Sequence, residues 1–247
     1  MKFFDSNITV GRKTVKDYSP VENEAHLLKI MDDHGIDRAV IIHADQKDAH
    51  PEEGNRNSLL FTESERAEHL FAILPPATEE FEYDVFEYMK ENRIKGITAF
   101  PKYQNFFLNR ISMGSFMDEV CERKIPLFLS LWGDVTWDDI YRFMSDYPKA
   151  TVVIKDLYDW DQDRYYYPLL KAFGNLYMET NKMHLVADGI KDAVGKFGSE
   201  RFVFGSAYPR CYIYAAKMDL LHADISQEDK ENIAYNNLER LLNNAVL

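Results

Sequence analysis

Eight short apolar runs recur along the 247-residue chain, and each is followed by a segment with helical spacing. The runs are mostly unbroken rather than alternating, which is typical of parallel strands that are covered on both faces. The predicted strands are Met1–Asp5, Ala39–Ile42, Leu70–Leu74, Ile94–Phe100, Pro126–Leu131, Thr151–Ile154, Leu176–Glu179 and Phe202–Phe204.

Between these runs, apolar residues three and four positions apart predict amphipathic helices. The segment Val21–His34 has one apolar face, and Gly35 follows it as a residue that can end a helix at positive φ. The last helix is predicted over Ser226–Val246, with Ser226 as its N-cap. Four apolar residues of this segment should pack on the outside of the sheet: Ile233, Leu238, Leu241 and Leu242.

Alternation of strands and helices predicts parallel strands joined by crossovers, and eight units favour a closed barrel over an open sheet. The length agrees with the roughly 250 residues of a (β/α)8 barrel. No G-x-G-x-x-G follows the first strand, so a dinucleotide-binding fold lacks its main sequence support. We predict a single TIM-barrel domain over residues 1–247.

Composition narrows the class of partner. The net charge of −12 argues against nucleic acid, because a phosphate-binding surface needs clustered Lys and Arg. The amino terminus has no apolar signal-peptide core, and no run approaches the roughly 18 apolar residues of a membrane helix. We expect a cytoplasmic protein whose two cysteines, Cys121 and Cys211, are reduced, with one bridge between them as the alternative. The sequence is also compatible with a homo-oligomer.

Seven segments, taken in order, resemble the amidohydrolase-related family of metal-dependent hydrolases and decarboxylases. They span nearly the whole chain and comprise residues 3–7, 35–40, 94–101, 125–128, 147–153, 204–209 and 236–242. The resemblance implies a TIM barrel with its active site at the carboxyl ends of the strands.

The same resemblance implies a divalent metal held by a His-x-His pair after strand one, histidines after strands five and six, and an aspartate after strand eight. The matching residues in this chain are Asn7 and Thr9, Ser130, Asp156 and Ala207. Only Asp156 is a good metal ligand among them. We therefore expect no metal site of the family type and no cofactor.

Acidic residues at the predicted strand ends are candidates for acid/base chemistry. Asp5 and Asp156 should both point into the barrel, where two carboxylates sharing a pocket push one pKa upward. For Asp5, an anchoring role through backbone N–H groups is the alternative. If Glu179 joined these two residues, the three could instead form an oxygen-rich Mg²⁺ site.

His43 ends strand two and is the predicted general base near neutral pH, with a strand-capping histidine as the alternative. Arg210 follows strand eight, where barrels often bind phosphate or carboxylate groups, and we predict an anion-binding role for it. Lys155 is expected by strand parity to face outward, where a salt bridge is favoured over a Schiff base.

Aromatic residues are dense in the loops after strands five and six. Trp132 is predicted to wall the substrate pocket, whereas Tyr158, Trp160 and residues 165–167 fit substrate stacking, packing or an oligomer interface. Asn7, Ser130 and Glu179 are predicted to contact substrate at the same mouth. No G-x-S-x-G nucleophile motif occurs.

The predicted fold does not by itself predict a function, because function depends on the residues of the active site. The leading hypothesis is a metal-independent hydrolase or lyase acting on a small carboxylated or sugar-like metabolite. Asp156, His43 and Asp5 are its candidate catalytic residues. The alternative is a catalytically inactive relative that binds a metabolite or a protein.

Overall fold

Eight parallel strands form one sheet in which the spatial order is the order along the chain. A computed structural model describes residues 1–12, 19–76, 81, 83–157, 162–183 and 188–247. The strands are β1 (Phe4–Val10), β2 (Arg38–His43), β3 (Ala67–Ala72), β4 (Gly96–Thr98), β5 (Leu127–Ser130), β6 (Val152–Lys155), β7 (Leu176–Glu179) and β8 (Phe202–Val203). The predicted TIM barrel is confirmed.

The ring closes through backbone contacts between β1 and the segment that follows β8. Ser6 N donates to Phe204 O at 2.9 Å, and Thr9 N donates to Tyr208 O at 2.8 Å. These bonds satisfy backbone groups that would otherwise lie unpaired at the two edges of an open sheet.

The first strand differs most from its prediction, because it continues to Val10 instead of ending at Asp5. The pairing of β1 with β2 shifts by one residue between Asp5 and Ile8. Such a bulge changes which side chains face inward. The polar residues Asn7 and Thr9 consequently lie within the strand and line the barrel mouth.

Eleven α-helices lie in the described part of the chain. They are α1 (Glu24–His34), α2 (Asp45–Asp48), α3 (Pro51–Phe61), α4 (Val85–Glu91), α5 (Arg110–Glu122), α6 (Trp137–Asp146), α7 (Asp163–Ala172), α8 (Gly189–Phe197), α9 (Ile213–His222), α10 (Gln227–Glu231) and α11 (Asn237–Asn243). A π-helical turn, Asn232–Asn236, joins α10 to α11.

Two of the predicted helix ends are confirmed. Gly35 follows α1 at φ 59°, and its N–H donates to carbonyls of the last helical turn. Ser226 caps α10, since its hydroxyl accepts from the N–H of Asp229 at 3.1 Å.

The last helix packs differently from its prediction. Leu238, Leu241 and Leu242 join the cluster of side chains inside the barrel, together with Phe4 and Phe128. Phe4 begins β1, so α11 covers the amino-terminal end of the barrel and not its outer wall. Ile233 alone packs in the outer layer, as predicted. The periodicity marks an apolar face but not the surface that covers it.

Two further observations concern the cysteines and the length of the helices. Cys121 and Cys211 are both free thiols, in agreement with the predicted reduced state. No helix among the described residues is long and apolar enough to cross a membrane.

Candidate active site

The carboxyl ends of the strands surround a cavity of about 430 Å³. This volume lies within the range of small-molecule sites. The side chains that line it come from six of the strands or the loops that follow them: Asn7, Thr9, Ile42, His43, Ala44, Lys47, Asp48, Phe100, Tyr103, Ser130, Trp132, Lys155, Asp156, Ala207 and Arg210. Of the eight predicted site residues, six line this cavity, and Asp5 and Glu179 do not.

Lys155 faces the barrel interior, so the prediction that it faces outward is wrong. Val153, two residues earlier in β6, belongs to the interior cluster, and alternation therefore brings Lys155 inward. Asp156 comes next, at φ +64°, a left-handed conformation in which Asp is more common than most residues. This turn brings Asp156 into the mouth as well, against the strand alternation.

Asp156 is the most heavily bonded group of the site. Its carboxylate accepts from Asn7 Nδ2 at 2.7 Å and from the Ser130 hydroxyl, and it forms an ion pair with Arg210. Although burial disfavours the charged form, Arg210, Lys155 and the Ser130 hydroxyl together lower the pKa of Asp156. This carboxylate is therefore ionised throughout the neutral range.

Glu179 has the opposite protonation behaviour from Asp156. Burial, and then the charge of Asp156, raise the pKa of Glu179 to about 8. Its Oε2 accepts from Asn7 Nδ2 at 3.1 Å, so the Asn7 amide bridges the two acids. Gly205 leaves the space that Glu179 fills, since a Cβ there would lie 2.5 Å from Glu179 Cδ. Near neutral pH the pair holds one ionised and one protonated carboxyl.

Asp5 is buried below the cavity and acts on the backbone. One carboxylate oxygen accepts from Asn7 N at 3.0 Å and from Ser206 N at 2.9 Å. Burial raises its pKa despite these bonds. The two hydrogen bonds connect β1 to the loop after β8 and hold Asn7 in place.

His43 lies at the end of β2 on the cavity wall. Its Nδ1 accepts from Asp45 N at 3.3 Å, and this bond leaves the proton of the neutral ring on Nε2. Burial lowers the pKa of His43 although the Asp45 carboxylate opposes the shift. Gly11, at φ +81°, makes room for the ring, because a Cβ there would lie 2.6 Å from Nε2.

Arg210 and Trp132 form one side of the mouth. The guanidinium carbon of Arg210 lies 4.7 Å from the centre of the Trp132 ring, within cation–π range. One terminal nitrogen of Arg210 is paired with Asp156. Its Nε is buried and has no hydrogen-bond partner among the described residues.

Sequence reasoning missed the groups that α2 brings to the mouth. Lys47 places its ammonium 3.9 Å from the centre of the Tyr103 ring, and both residues line the cavity. The buried Gln46 side chain accepts from His43 N at 2.9 Å and donates to Leu70 O and to Asn55. The polar segment Asp45–Asn57, which follows strand two, was the available signal. Tyr158 and Trp160 lie outside the described residues.

A second cavity, of about 690 Å³, adjoins the first and shares Trp132 with it. Asp134 lies on its wall and is buried, with Oδ1 accepting from Lys102 N at 3.1 Å. Burial raises the pKa of Asp134 to about 7 in spite of the neighbouring lysines. The folded state therefore holds a proton that the unfolded chain releases near pH 4.

Asp134→Asn should remove this pH dependence. Because the folded-state pKa is raised, wild-type stability falls as pH rises from about 4 to about 7. We expect similar unfolding free energies for variant and wild type at pH 4.5, and a variant more stable by about 1–3 kcal/mol at pH 8. Urea unfolding at both pH values measures this. Asp138→Asn, at an exposed site, is the control, and an equal Asp134→Asn effect at both pH values would contradict the assignment.

The side chains at the family's metal-ligand positions do not fit a divalent metal ion. Asn7, Thr9, Ser130 and Ala207 supply no imidazole or carboxylate, and Asp156 is paired with Arg210. The Lys155 amine lies among them. Within the described ranges, no group of three His, Cys, Asp or Glu side chains is arranged to hold a metal ion. The alternative Mg²⁺ site predicted from Asp5, Asp156 and Glu179 is therefore not formed by these described residues.

Comparison with known proteins gives a likeness of fold. No family model and no curated protein matches the sequence. Among solved structures, amidohydrolase 2 from Bifidobacterium longum subsp. infantis is similar, with a TM-score of 0.71 at 15% identity, covering 98% of this chain and 99% of that one. The chain shares the fold of the amidohydrolase-type TIM barrels.

Two further structures extend the likeness. 2,6-Dihydroxybenzoate decarboxylase from Rhizobium has a TM-score of 0.72 at 15% identity, over 98% of each chain. A probable 2-pyrone-4,6-dicarboxylic acid hydrolase from Acinetobacter baumannii, with citric acid bound, has a TM-score of 0.72 at 12% identity, over 98% of this chain and 100% of that one. At these identities the amidohydrolase-type resemblance is confirmed for the fold, and the activity is a separate question.

Proposed function

We propose that this amidohydrolase-like barrel is a metal-independent hydrolase or lyase whose substrate is a small carboxylated molecule. The site is the cavity of about 430 Å³ at the carboxyl ends of the strands. In this proposal the protein's own side chains donate and accept protons, and no step is assigned to a metal ion.

The unpartnered Nε of Arg210 is the observation that carries the proposal. A buried guanidinium N–H without an acceptor is costly, and a bound carboxylate would satisfy it. Lys47 adds positive charge around the same cavity. Trp132 supplies a flat apolar wall beside Arg210, which suits a planar substrate.

Acid and base roles follow from the two different carboxyl groups. Glu179, with a pKa of about 8, carries a proton at neutral pH. It does not line the cavity, so as the candidate proton donor it acts on substrate through a water molecule. Asp156 stays ionised and orients Arg210 and Asn7. His43, neutral and with Nδ1 occupied, presents Nε2–H as a donor toward substrate. Asp5 holds the backbone under Asn7 and is assigned a positioning role.

The names of two similar structures support a carboxylated substrate over a sugar. One is a decarboxylase of 2,6-dihydroxybenzoate, and the other a probable hydrolase of 2-pyrone-4,6-dicarboxylic acid. Both names describe small planar carboxylates, the class that Arg210 and Trp132 would accommodate together. Lyase and hydrolase chemistry both remain within the proposal.

Binding to chelator-treated protein tests the proposal. We expect 2,6-dihydroxybenzoate to raise the melting temperature, because a ligand at about 100 times its Kd stabilises by about 2.7 kcal/mol. Resorcinol, which lacks the carboxylate, should have little effect. Arg210→Lys keeps the charge but loses the Nε donor, and it should weaken binding about tenfold. Lys149→Met, at an exposed site, is the matched control.

Equal stabilisation by resorcinol, or unchanged binding to Arg210→Lys, would contradict the carboxylate site. Binding that is lost with the chelator and restored by zinc would contradict metal independence. The ion pair between Arg210 and Asp156 also fits a non-catalytic metabolite-binding protein. To separate the two candidates, the protein is incubated with a panel of carboxylates and product formation is monitored by chromatography. An enzyme should release product, and a binding protein should not.

A further inference from the structure

Lys155 is a buried residue of the cavity. The proposed acid and base roles assign no chemical step to it. It is one of the largest fully buried side chains of the protein, and it lines the same cavity as Arg210 and Asp156. Burying an ammonium group is costly unless a partner compensates it. A buried lysine facing a ligand cavity therefore needs either an ionic partner or a role as a neutral amine.

The hydrogen bonds around Lys155 favour the neutral amine. Its Nζ has one hydrogen-bond contact among the described residues, to Asn7 Oδ1 at 3.4 Å, a long bond to an uncharged acceptor. The nearest acids have other partners: Asp156 binds Arg210 and Ser130, and Glu179 accepts from Asn7. Among the residues that the structure describes, the amine is thus positioned by Asn7 and not fixed in an ion pair.

The charges around Lys155 act in both directions. Burial has the largest effect and lowers the pKa of Lys155, and the cations Arg210 and Lys47 lower it further. Asp156 and Glu179 oppose this shift. The net direction is downward, which increases the share of unprotonated amine near neutral pH. An unprotonated amine is the form that attacks a carbonyl carbon.

We propose that Lys155 is a nucleophile that forms an imine with the carbonyl group of a small 3-oxo acid whose carboxylate binds at Arg210. This inference rests on the proposed function and specifies its substrate class and its reaction as that of a lyase. Lys155 attacks from the end of β6, and Arg210 approaches from the loop after β8, so one small molecule in the cavity can contact both.

The chemistry balances with groups already in the site. The Nζ lone pair forms a bond to the carbonyl carbon, the carbonyl electron pair moves to oxygen, and a proton passes from nitrogen to that oxygen. A second proton, passed from Glu179 through a water molecule, lets the oxygen leave as water and gives the protonated imine. The bond to the carboxylate carbon then breaks, and its electron pair moves toward the imine nitrogen as carbon dioxide departs.

The remaining steps restore the enzyme. The enamine carbon takes up a proton, and addition of water to the imine releases a ketone and the free Lys155 amine. The sum is a 3-oxo acid anion plus one proton giving a ketone and carbon dioxide. No oxidant, reductant or further reactant is needed.

Reductive trapping with acetoacetate as the probe tests this inference. The protein is incubated with acetoacetate and sodium cyanoborohydride at pH 7, digested, and mapped by mass spectrometry. We expect the reduced adduct on Lys155 at a level at least about tenfold above that on the exposed Lys149. Without cyanoborohydride, the adduct should be absent from the digest because the imine hydrolyses.

Formaldehyde with the same reductant gives a second measurement on wild-type protein that needs no folded variant. Lys155 should be methylated faster than Lys149 at pH 7, because exposed lysines are protonated there. Lys155→Arg replaces the amine by a guanidinium that forms no imine, and it should lose both the adduct and acetoacetate decarboxylation, whereas Lys149→Met should keep both.

The outcomes separate this inference from the proposed function. If 2,6-dihydroxybenzoate binds through Arg210 but acetoacetate gives no adduct on Lys155, the imine is refuted and the carboxylate site stands. Labelling spread equally over exposed lysines also refutes it. If neither carboxylate binds, the proposed function itself is refuted.

Discussion

Replacing Asp156 by alanine should lower the free energy of unfolding by about 3–5 kcal/mol at pH 7, because it leaves the Arg210 guanidinium without its carboxylate partner. Arg210 would lose its ion pair. Asn7 and Ser130 would each lose a hydrogen-bond partner as well. Urea unfolding followed by circular dichroism measures the change.

An exposed ion pair provides the control. Asp138 Oδ2 lies 2.7 Å from Arg142 Nη2, and both side chains are mostly exposed. Asp138→Ala should therefore cost about 0.5 kcal/mol or less. In a double-mutant cycle, Arg210→Met should recover part of the loss caused by Asp156→Ala, because it removes the unpaired cation. Similar losses for Asp156→Ala and Asp138→Ala would show that the buried pair contributes no more than an exposed one.

The pH dependence of the Asp156 effect has a defined sign. Its folded-state pKa is lowered, so its contribution is complete above the unfolded value of 3.8 and is lost as pH falls toward the folded value. The difference between wild type and Asp156→Ala should accordingly shrink below about pH 4.

Replacing Gly54 by alanine should destabilise the protein by about 3 kcal/mol or more, since the new methyl group would meet backbone that cannot move aside. A Cβ at Gly54 would lie 2.3 Å from both the nitrogen and the Cα of Gln46. This close approach lets α3 pack directly on α2. The same contact positions Gln46 and, through it, His43 at the mouth.

Gly195 is the matched control, because it also lies in a helix and a Cβ there would meet nothing within 4 Å. Gly195→Ala should stabilise the protein by about 0.5–1 kcal/mol through helix propensity alone. Thermal unfolding of the two variants compares them directly. A Gly54→Ala variant as stable as Gly195→Ala would show that α2 and α3 can separate without cost.

The pattern of apolar runs was sufficient to predict the architecture. Covered parallel strands read as unbroken apolar runs, and eight of them alternating with helices have few arrangements other than a closed barrel. Leu176–Glu179 was predicted with the bounds that β7 has. The amidohydrolase-type fold followed from segments that are individually weak but occur in the same order.

The first strand shows where the pattern stops being informative. Its apolar run ends near Asp5, but the strand continues through Ser6, Asn7 and Thr9 because their polar side chains face a cavity or lie buried beside it. An apolar criterion cannot detect strand residues that line a polar site. The bulge in β1 adds a second obstacle, since it changes the alternation within the strand.

Local sequence determined the strands, the helix caps and the set of polar residues at the strand ends, because these depend on a residue and its near neighbours. The orientation of Lys155 depended on the register of β6, and that of Asp156 on one left-handed backbone angle. The connections among Asn7, Asp156, Glu179 and Arg210 join residues from different strands and loops, up to 172 positions apart in one bond. Only closure of the barrel brings these groups together, so only the tertiary structure decides which carboxyl is ionised, which is protonated and which amine faces the cavity.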